Sequence, residues 1–245
     1  MLHIGHLSKQ FDEFHLRDIN LDIGRGDYFV LLGPSGAGKT VLFETIAGIN
    51  TPDKGIIELN NKEITRAKIR DRRIGLVFQE GAVFPHLTVA QNIGYPLKMK
   101  KIGKANIHRR TTQLAEQVGI GPLLHRKPET LSGGELKRVA IARTLALEPE
   151  CLLLDEPLSS IDTRVRDEIL FLLKKLNRDG LTILHITHDY REAFSQARKI
   201  AVMDKGRIIQ QGAPEEIVAR PASKFIARFI GIRNFFDFEK TDDNH

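Results

Sequence analysis

The stretch GPSGAGKT (33–40) constrains the fold of this 245-residue chain more than any other. It matches the phosphate-binding loop pattern G-x-x-x-x-G-K-S/T at every defined position. Glycines in such a loop let successive backbone N–H groups face one phosphate chain. Lys39 would neutralise the β and γ oxygens of the phosphates, and Thr40 would offer a hydroxyl to Mg²⁺. The pattern therefore predicts a nucleotide-binding site at this loop.

The residues on either side of the loop have the periodicities that such a site requires. DYFVLL (27–32) is typical of a short buried strand, and Val41, Leu42 and Ile46 mark one side of a following helix. The N-terminus of that helix would add its partial positive charge to the phosphate site. We expect the nucleotide to be bound by Gly33, Pro34, Ser35, Gly36, Ala37, Gly38, Lys39, Thr40 and Val41.

The amino-acid composition is that of a soluble globular protein. Hydrophobic residues make up 41% and charged residues 28%, which is ordinary for a soluble globular chain. No apolar run approaches the roughly 20 residues that cross a bilayer, and the N-terminus lacks signal-peptide features. The single cysteine, Cys151, excludes an internal disulfide and stands in an apolar run, where a buried side chain is expected. We therefore predict a cytoplasmic protein.

The formal charge of +6 raises the question of nucleic acid binding. The basic residues are scattered, and the densest clusters, 68–73 and 98–104, are not interleaved with aromatic residues. A solvated face, or attraction to an anionic membrane surface, explains this pattern better. No nucleic acid partner is expected.

The predicted secondary structure changes from strands to helices and back along the chain. Buried strands are predicted at 27–32, 74–79, 151–155 and 181–187, whereas 84–150 reads as helical. An amphipathic helix at 163–178, a hairpin at 199–212 and a polar tail at 236–245 follow. The order predicts an α/β fold with a helical segment inserted between two sheet-forming stretches.

Polar residues follow three of these strands. CLLLDEP ends in Asp155 and Glu156, an arrangement in which the first carboxylate holds Mg²⁺ and the second can act as a general base. Gln79 and His188 stand at the ends of two further strands, at the sheet edge where ligands bind. His185 lies within its strand and is expected to be a core histidine.

In one order the chain shows GPSGAGKT, Gln79, LSGGE (131–135), CLLLDEP and His188. This set resembles the ATP-binding cassette (ABC) family of transporter ATPases, from the N-terminus to about Gly231. LSGGE stands where the family has its LSGGQ signature, with Glu135 replacing the glutamine. The segment FQEGAVFPHLTVAQNI and the C-terminal RFIGIRNFF are similar to importers, most closely to the molybdate, tungstate and sulfate group.

The resemblance implies a P-loop NTPase (RecA-like) core with an antiparallel β subdomain and an inserted helical subdomain. The ABC ATPase domain would span 1–235, with the core and β subdomain in 1–83 and 151–235, the helical subdomain in 84–150 and a polar tail in 236–245. Two subunits, expected to be identical, would pack head to tail around two ATP molecules. Ser132, Gly133, Gly134 and Glu135 would contact the ATP of the opposite subunit, and Asp162 would lie in a loop that crosses the interface.

Individual roles also follow from the resemblance. Glu156 would polarise the attacking water, His188 would contact the γ-phosphate, and Gln79 would sense Mg²⁺ and that water. Thr40, Gln79 and Asp155 would hold the Mg²⁺. Phe11 matches the position whose ring stacks on adenine, and the nearby Phe14 is the alternative.

The implied function is the ATPase subunit of an importer, peripheral at the inner face of the membrane. It would drive a separate integral membrane permease, whose short helix would enter a groove formed by the strand end at Gln79 and the segment 84–99. An external substrate-binding protein would act through the permease. An ABC exporter, or a soluble ABC ATPase acting on nucleic acid or ribosomes, is the alternative.

Overall fold

The computed structural model describes residues 1–11, 13–80, 82–159 and 161–234. The predicted tail at 236–245 lies outside these residues. The strands are β1 (Leu2–Gln10), β2 (His15–Ile23), β3 (Tyr28–Leu32), β4 (Lys54–Leu59), β5 (Lys62–Glu63), β6 (Ile74–Val77), β7 (Cys151–Asp155), β8 (Thr182–Thr187), β9 (Lys199–Asp204) and β10 (Arg207–Gly212). The helices are α1 (Lys39–Ala47), α2 (Val89–Met99), α3 (Lys104–Gln117), α4 (Gly133–Leu145), α5 (Thr163–Arg178), α6 (Tyr190–Gln196), α7 (Pro214–Ala219) and α8 (Lys224–Phe229).

Two sheets form within the described residues. The larger has six strands in the order β10-β9-β3-β8-β7-β6, parallel from β9 to β6, with β10 antiparallel to β9. The smaller is antiparallel, in the order β2-β1-β4-β5. The predicted α/β fold with an antiparallel β portion and an inserted helical segment is confirmed.

The central parallel strands β3, β7 and β8 are buried on both faces, as is usual for parallel strands. In β3, Val30 and Leu32 join the core on the helical side, whereas Phe29 and Leu31 join the core shared with the smaller sheet and α1. All five β3 residues are buried, which explains the unbroken apolar run in the sequence. The strand is thereby fixed on both faces, and the loop that follows it starts from a rigid base.

The inserted segment is helical. α2, α3 and α4 pack on one another, and α4 also contacts β6. Asn92 of α2 is fully buried, and its amide donates to the carbonyl oxygens of Phe84, Leu87 and Thr88 at 3.1 Å each, so it fixes the loop before the helix. The division of the chain into 1–83, 84–150 and 151–235 stays a prediction.

Three details refine the sequence reading. The strand expected at 74–79 ends at Val77, since pairing with β7 stops at Leu154 and Gln79 lies in an exposed turn. His185 is confirmed as a core histidine, because it is fully buried and its Nδ1 lies 3.0 Å from the Tyr28 hydroxyl. Cys151 is buried as expected, and burial raises the pKa of its thiol to about 12.

No helix in the described part of the chain has both the length and the apolarity to cross a bilayer.

Candidate nucleotide-binding site

The predicted site residues meet at one edge of the larger sheet. The strands β3, β8, β7 and β6 are parallel neighbours, so their carboxyl ends lie side by side. The phosphate-binding loop follows β3, His188 follows β8, Asp155 and Glu156 lie at the end of β7, and Gln79 follows β6. Ligands of open α/β sheets bind at this edge.

The phosphate-binding loop leads directly into α1. Gly38 caps this helix with a φ of 99°, in the left-handed region, and a Cβ there would lie 2.1 Å from the Phe14 ring. Only glycine adopts this left-handed conformation without strain and leaves room for the Phe14 ring. The next residue, Lys39, is 5% exposed, and its Nζ donates to the carbonyl oxygens of Gly33 at 2.8 Å and Pro34 at 2.9 Å. Burial lowers the pKa of Lys39, and the nearby Glu156 and Asp155 oppose that shift.

A cleft of about 480 Å³ opens beside this loop. It is lined by Phe14, Ser35, Gly36, Gly38, Lys39, Thr40, Val41, Gln79 and Glu156. Gly33 and Ala37 are buried beneath the loop rather than exposed in it. The cleft therefore brings together loop residues with a carboxylate and an amide that lie more than 35 positions away in the sequence.

The carboxylate of Asp155 lies against the loop. It is 4% exposed and accepts a hydrogen bond from the Thr40 side chain. Burial raises the pKa of Asp155, and the hydrogen bond from Thr40 opposes the shift. A hydroxyl, a carboxylate and the amide of Gln79 form a set of oxygen donors that suits Mg²⁺. The residues at this corner of the cleft thus fit the predicted metal.

Glu156 and His188 form a pair. Oε2 of Glu156 lies 3.3 Å from Nδ1 of His188, and the side chains are 17% and 58% exposed. Glu156 has a φ of 42°, a left-handed conformation that is costly for a residue with a side chain. Its N–H donates to Ile186 O at 3.1 Å, and its carbonyl oxygen accepts from Ser159 N at 3.1 Å and Ser159 Oγ at 2.9 Å. These bonds hold the Glu156 carboxylate at the cleft.

The turn at Gln79 is tied to the inserted helices by a contact that sequence reasoning missed. Nζ of Lys137, on α4, donates to the carbonyl oxygen of Gln79. Lys137 is 7% exposed, and burial lowers its pKa, while Asp155 and Glu80 oppose the shift. The sequence feature that could have indicated this contact is a lysine on the apolar face of a helix, because a buried cation needs a polar partner.

The signature residues lie outside this cleft. Ser132 caps α4: its Oγ accepts from the Glu135 N–H at 3.4 Å, while Glu135 Oε2 accepts from Ser132 N at 2.7 Å and Ser132 Oγ at 2.9 Å. The hydrogen bond from the Ser132 backbone is the main cause of the lowered pKa of Glu135. Ser132 and Gly133 are exposed at the helix N-terminus, whereas Gly134 is buried. The exposed N-terminus of α4 therefore lies apart from the cleft.

Two aromatic residues compete for the adenine role. Phe14 lines the cleft and packs partly into the core, whereas Phe11 is absent from the lining and its ring lies 5.5 Å from Lys9 Nζ. The assignment of Phe11 rests on the resemblance and stays a prediction. The roles expected for the other site residues are likewise predictions, which this arrangement of side chains supports.

Comparison with known proteins decides the family. The sequence pattern of the family described as "ABC transporter" matches residues 16–159. The chain belongs to the ABC transporter family. It is an ATPase of that family.

Individual members are similar over nearly the whole chain. The molybdate/tungstate import ATP-binding protein WtpC of Thermococcus kodakarensis is 46% identical over 97% of this chain and 72% of its own length. The spermidine/putrescine import ATP-binding protein PotA of Thermotoga maritima is 43% identical over 96% of this chain and 65% of its own. The ATP-binding cassette MJ0796, solved as a dimer in a post-hydrolysis state with ADP and Pi, superposes with a TM-score of 0.78 and 30% identity, over 87% of this chain and 99% of its own.

Proposed function

We propose that this ABC ATPase is the ATP-hydrolysing subunit of an importer and works as a head-to-tail dimer on a membrane permease. One observation carries the proposal. The cleft brings the phosphate-binding loop together with Gln79 and Glu156, whereas the exposed signature residues Ser132 and Gly133 lie elsewhere on the subunit. A site that needs both halves needs two subunits.

Binding of ATP uses the loop and the helix behind it. The backbone N–H groups of the loop and the N-terminus of α1 face the phosphates, since both are electropositive. Lys39 exchanges its bonds to Gly33 and Pro34 for bonds to the β and γ oxygens, which a flexible ammonium does readily. Thr40, Asp155 and Gln79 would hold Mg²⁺, which would neutralise charge on the phosphates.

Hydrolysis uses the pair beside the γ-phosphate. Glu156 orients a water molecule and takes its proton, because its carboxylate is partly buried yet opens onto the cleft. His188, 58% exposed, reaches the γ-phosphate while Nδ1 holds Glu156 in place. Ser132 and Gly133 of the second subunit donate to the same phosphate, so ATP joins the two subunits and its hydrolysis releases them. Asp162 lies in the loop that crosses this interface.

The partner in the membrane would contact the inserted helices. The sequence led us to expect a groove between the strand end at Gln79 and the segment 84–99. The groove of about 370 Å³ that the structure shows lies instead between α2 and α3, and Gln79 is not part of it. It is lined by His86, Leu87, Ala90, Gln91, Gly94, Tyr95, Lys98, Lys104, Ile107, His108 and Thr111. Its floor is apolar and its rim carries two lysines and two histidines. A short apolar helix of the permease fits such a groove. The helix α4 packs on α2 and α3, and its Lys137 binds the Gln79 turn. A movement of the permease helix in the groove would therefore be transmitted through α4 to the nucleotide site.

The groove gives a direct test of the permease contact. Replacing Ala90 with Asp puts a charge on the apolar floor and is expected to abolish co-purification with the permease while the isolated chain keeps its ATPase activity. Ala105→Asp, on an exposed position of α3 outside the groove, is the matched control and should leave co-purification intact. Co-purification of Ala90→Asp at the level of the control would contradict the groove assignment.

For the cargo we propose an oxyanion such as molybdate, tungstate or sulfate, delivered by an external substrate-binding protein. Similarity to WtpC supports this, although the PotA relative is nearly as similar. Transport into vesicles that contain the whole transporter would decide. ATP-dependent uptake of molybdate or tungstate supports the proposal; uptake of polyamines alone, or export, contradicts it. ATPase activity that depends on nucleic acid or ribosomes instead of a permease would favour the alternative class.

The adenine contact separates Phe14 from Phe11. A ring stacked on a base contributes about 1–3 kcal/mol, so loss of the stacking residue should raise the Kd for ATP roughly tenfold. The lining of the cleft leads us to expect this for Phe14→Ala and a smaller effect for Phe11→Ala. Equilibrium binding of a fluorescent ATP analogue, with thermal unfolding of each variant as a control for the core contact of Phe14, measures the difference. A larger effect of Phe11→Ala would support the resemblance instead.

A further inference from the structure

Helix α5 lies between the two half-sites of one subunit. It starts after Asp162, whose Oδ1 accepts from Val165 N at 3.0 Å and caps the helix. Its first turns therefore follow directly from the loop that is expected to cross the dimer interface. The contacts on the two sides of these turns determine which parts of the subunit would move if that loop were displaced.

One side of α5 is fixed to the signature helix α4. A Cβ on Gly134 would lie 2.1 Å from Cγ1 of Val165, so the two helices approach as closely as glycine permits. One helical turn along, Nη2 of Arg138 lies 3.0 Å from Oε2 of Glu168. Because the two helices are closely packed here and joined by an ion pair, a displacement of one is expected to displace the other.

The other side of α5 is fixed to the turn that carries His188. Nη1 of Arg166 lies 3.4 Å from Oδ2 of Asp189 and 3.5 Å from Oε1 of Glu192. Glu192 is 7% exposed, and its Oε2 accepts from the Thr187 hydroxyl at 2.7 Å. Arg166, Glu156 and His188 line the same cavity of about 40 Å³. The guanidinium thus contacts Asp189, which follows His188, directly, and it reaches Thr187, which precedes His188, through Glu192.

The charges make Arg166 necessary to this turn. Two carboxylates, Asp189 and Glu192, face one another here, and Arg166 is the cation that lies within 4 Å of both among the described residues. Burial raises the pKa of Glu192, while the Thr187 hydrogen bond and Arg166 favour its ionised form. Without the guanidinium, the repulsion and burial of these carboxylates would displace the Thr187 to Asp189 turn.

We propose that Arg166 is a positioning residue for hydrolysis, which transmits the position of the interface loop and the signature helix to His188 and Glu156. Docking of a second copy of the chain would press on Ser132 and Asp162, and α5 would carry that displacement to the His188 turn. Each nucleotide site would then register whether the signature loop of its own subunit is engaged at the other site. This inference rests on the roles proposed for Glu156 and His188.

The test compares Arg166→Gln with Arg164→Gln in the full chain. Arg164 lies two residues earlier on α5 with a 91% exposed side chain, so its variant controls for the loss of one positive charge. Arg166→Gln is expected to lower kcat by roughly tenfold or more, because small misplacements of catalytic groups cost that much. The Kd for ATP and the Tm should stay near those of the Arg164→Gln control, and Arg166→Lys should recover part of the kcat.

A second variant guards against a merely structural effect. Glu192→Gln keeps an acceptor for Thr187 but removes the charge that Arg166 binds. If Arg166 and Glu192 act as a unit, the double variant Arg166→Gln, Glu192→Gln should lose no more kcat than either single variant. Additive losses, a kcat of Arg166→Gln equal to that of the control, or a kcat that falls only in step with the Tm would overturn the inference.

The experiment also separates this inference from the proposed function. A wild-type chain that does not hydrolyse ATP, or a Glu156→Gln variant that still does, would overturn the proposed roles and this inference with them. Normal kcat in Arg166→Gln beside an inactive Glu156→Gln would overturn this inference alone.

Discussion

Replacing Glu156 with Gln is expected to lower ATP turnover by about a hundredfold or more, the range that general-base catalysis contributes. The amide keeps the shape of the side chain and its place 3.3 Å from His188, but it cannot accept the proton of the attacking water. Because Lys39, Thr40 and the loop are untouched, ATP binding should persist. The ATP-bound dimer should therefore accumulate. Steady-state phosphate release and size-exclusion chromatography with ATP measure the two effects.

Glu148→Gln is a suitable control for this variant. Glu148 has a 73% exposed side chain and precedes β7, so it lies at the opposite end of the strand from Glu156. It should leave both turnover and dimerisation unchanged. Near-normal hydrolysis by Glu156→Gln would exclude Glu156 as the base, and loss of the ATP-dependent dimer would indicate that binding had failed instead.

Replacing Lys39 with Ala is expected to weaken ATP binding itself. The ammonium is buried beside the loop, and the bonds proposed between it and the phosphates would be charge-assisted, so their loss should raise the Kd for ATP at least about tenfold. Turnover at low ATP should fall in parallel. Isothermal titration with ATP and Mg²⁺ measures the affinity, and the outcome differs in kind from Glu156→Gln, which keeps binding and loses chemistry.

Lys39 also bonds to the carbonyl oxygens of Gly33 and Pro34, so a folding defect must be distinguished from a binding defect. Lys54→Ala, at the exposed start of β4, controls for the general loss of a positive charge. A Kd equal to that of this control would contradict the role of Lys39. A lowered Tm with an unchanged Kd would show that the lysine serves the loop rather than the nucleotide.

Much of the site could be predicted because each of its parts is a local pattern. The glycine loop, the apolar strand ending in Asp155 and Glu156, and the strand placing His188 beyond its last residue are each encoded within a few neighbouring positions. Parallel strands then bring their carboxyl ends together by topology alone. Gln79 was correctly placed at this edge, although its strand stops at Val77, because the end of a strand depends on its pairing with a neighbour.

Contacts between segments distant in the sequence could not be predicted in this way. Phe11 and Phe14 lie three residues apart in one loop, and only the packing of Phe14 against Gly38 distinguishes them. Lys137 and Gln79 are 58 positions apart, so their bond has no local signature. The same holds for Arg166 and Glu192, whose meeting depends on how α5 crosses the end of β8.

The sequence by itself determined which residues of this ABC ATPase are proposed for each step: a loop for phosphates, a carboxylate for Mg²⁺, a base and a signature for a second subunit. These follow from residue types at fixed spacing, since the chemistry needs those groups wherever the chain places them. Only the tertiary structure decided which aromatic residue lines the cleft and how the signature helix, α5 and the His188 turn are connected. Such contacts depend on packing between elements, which no short segment encodes.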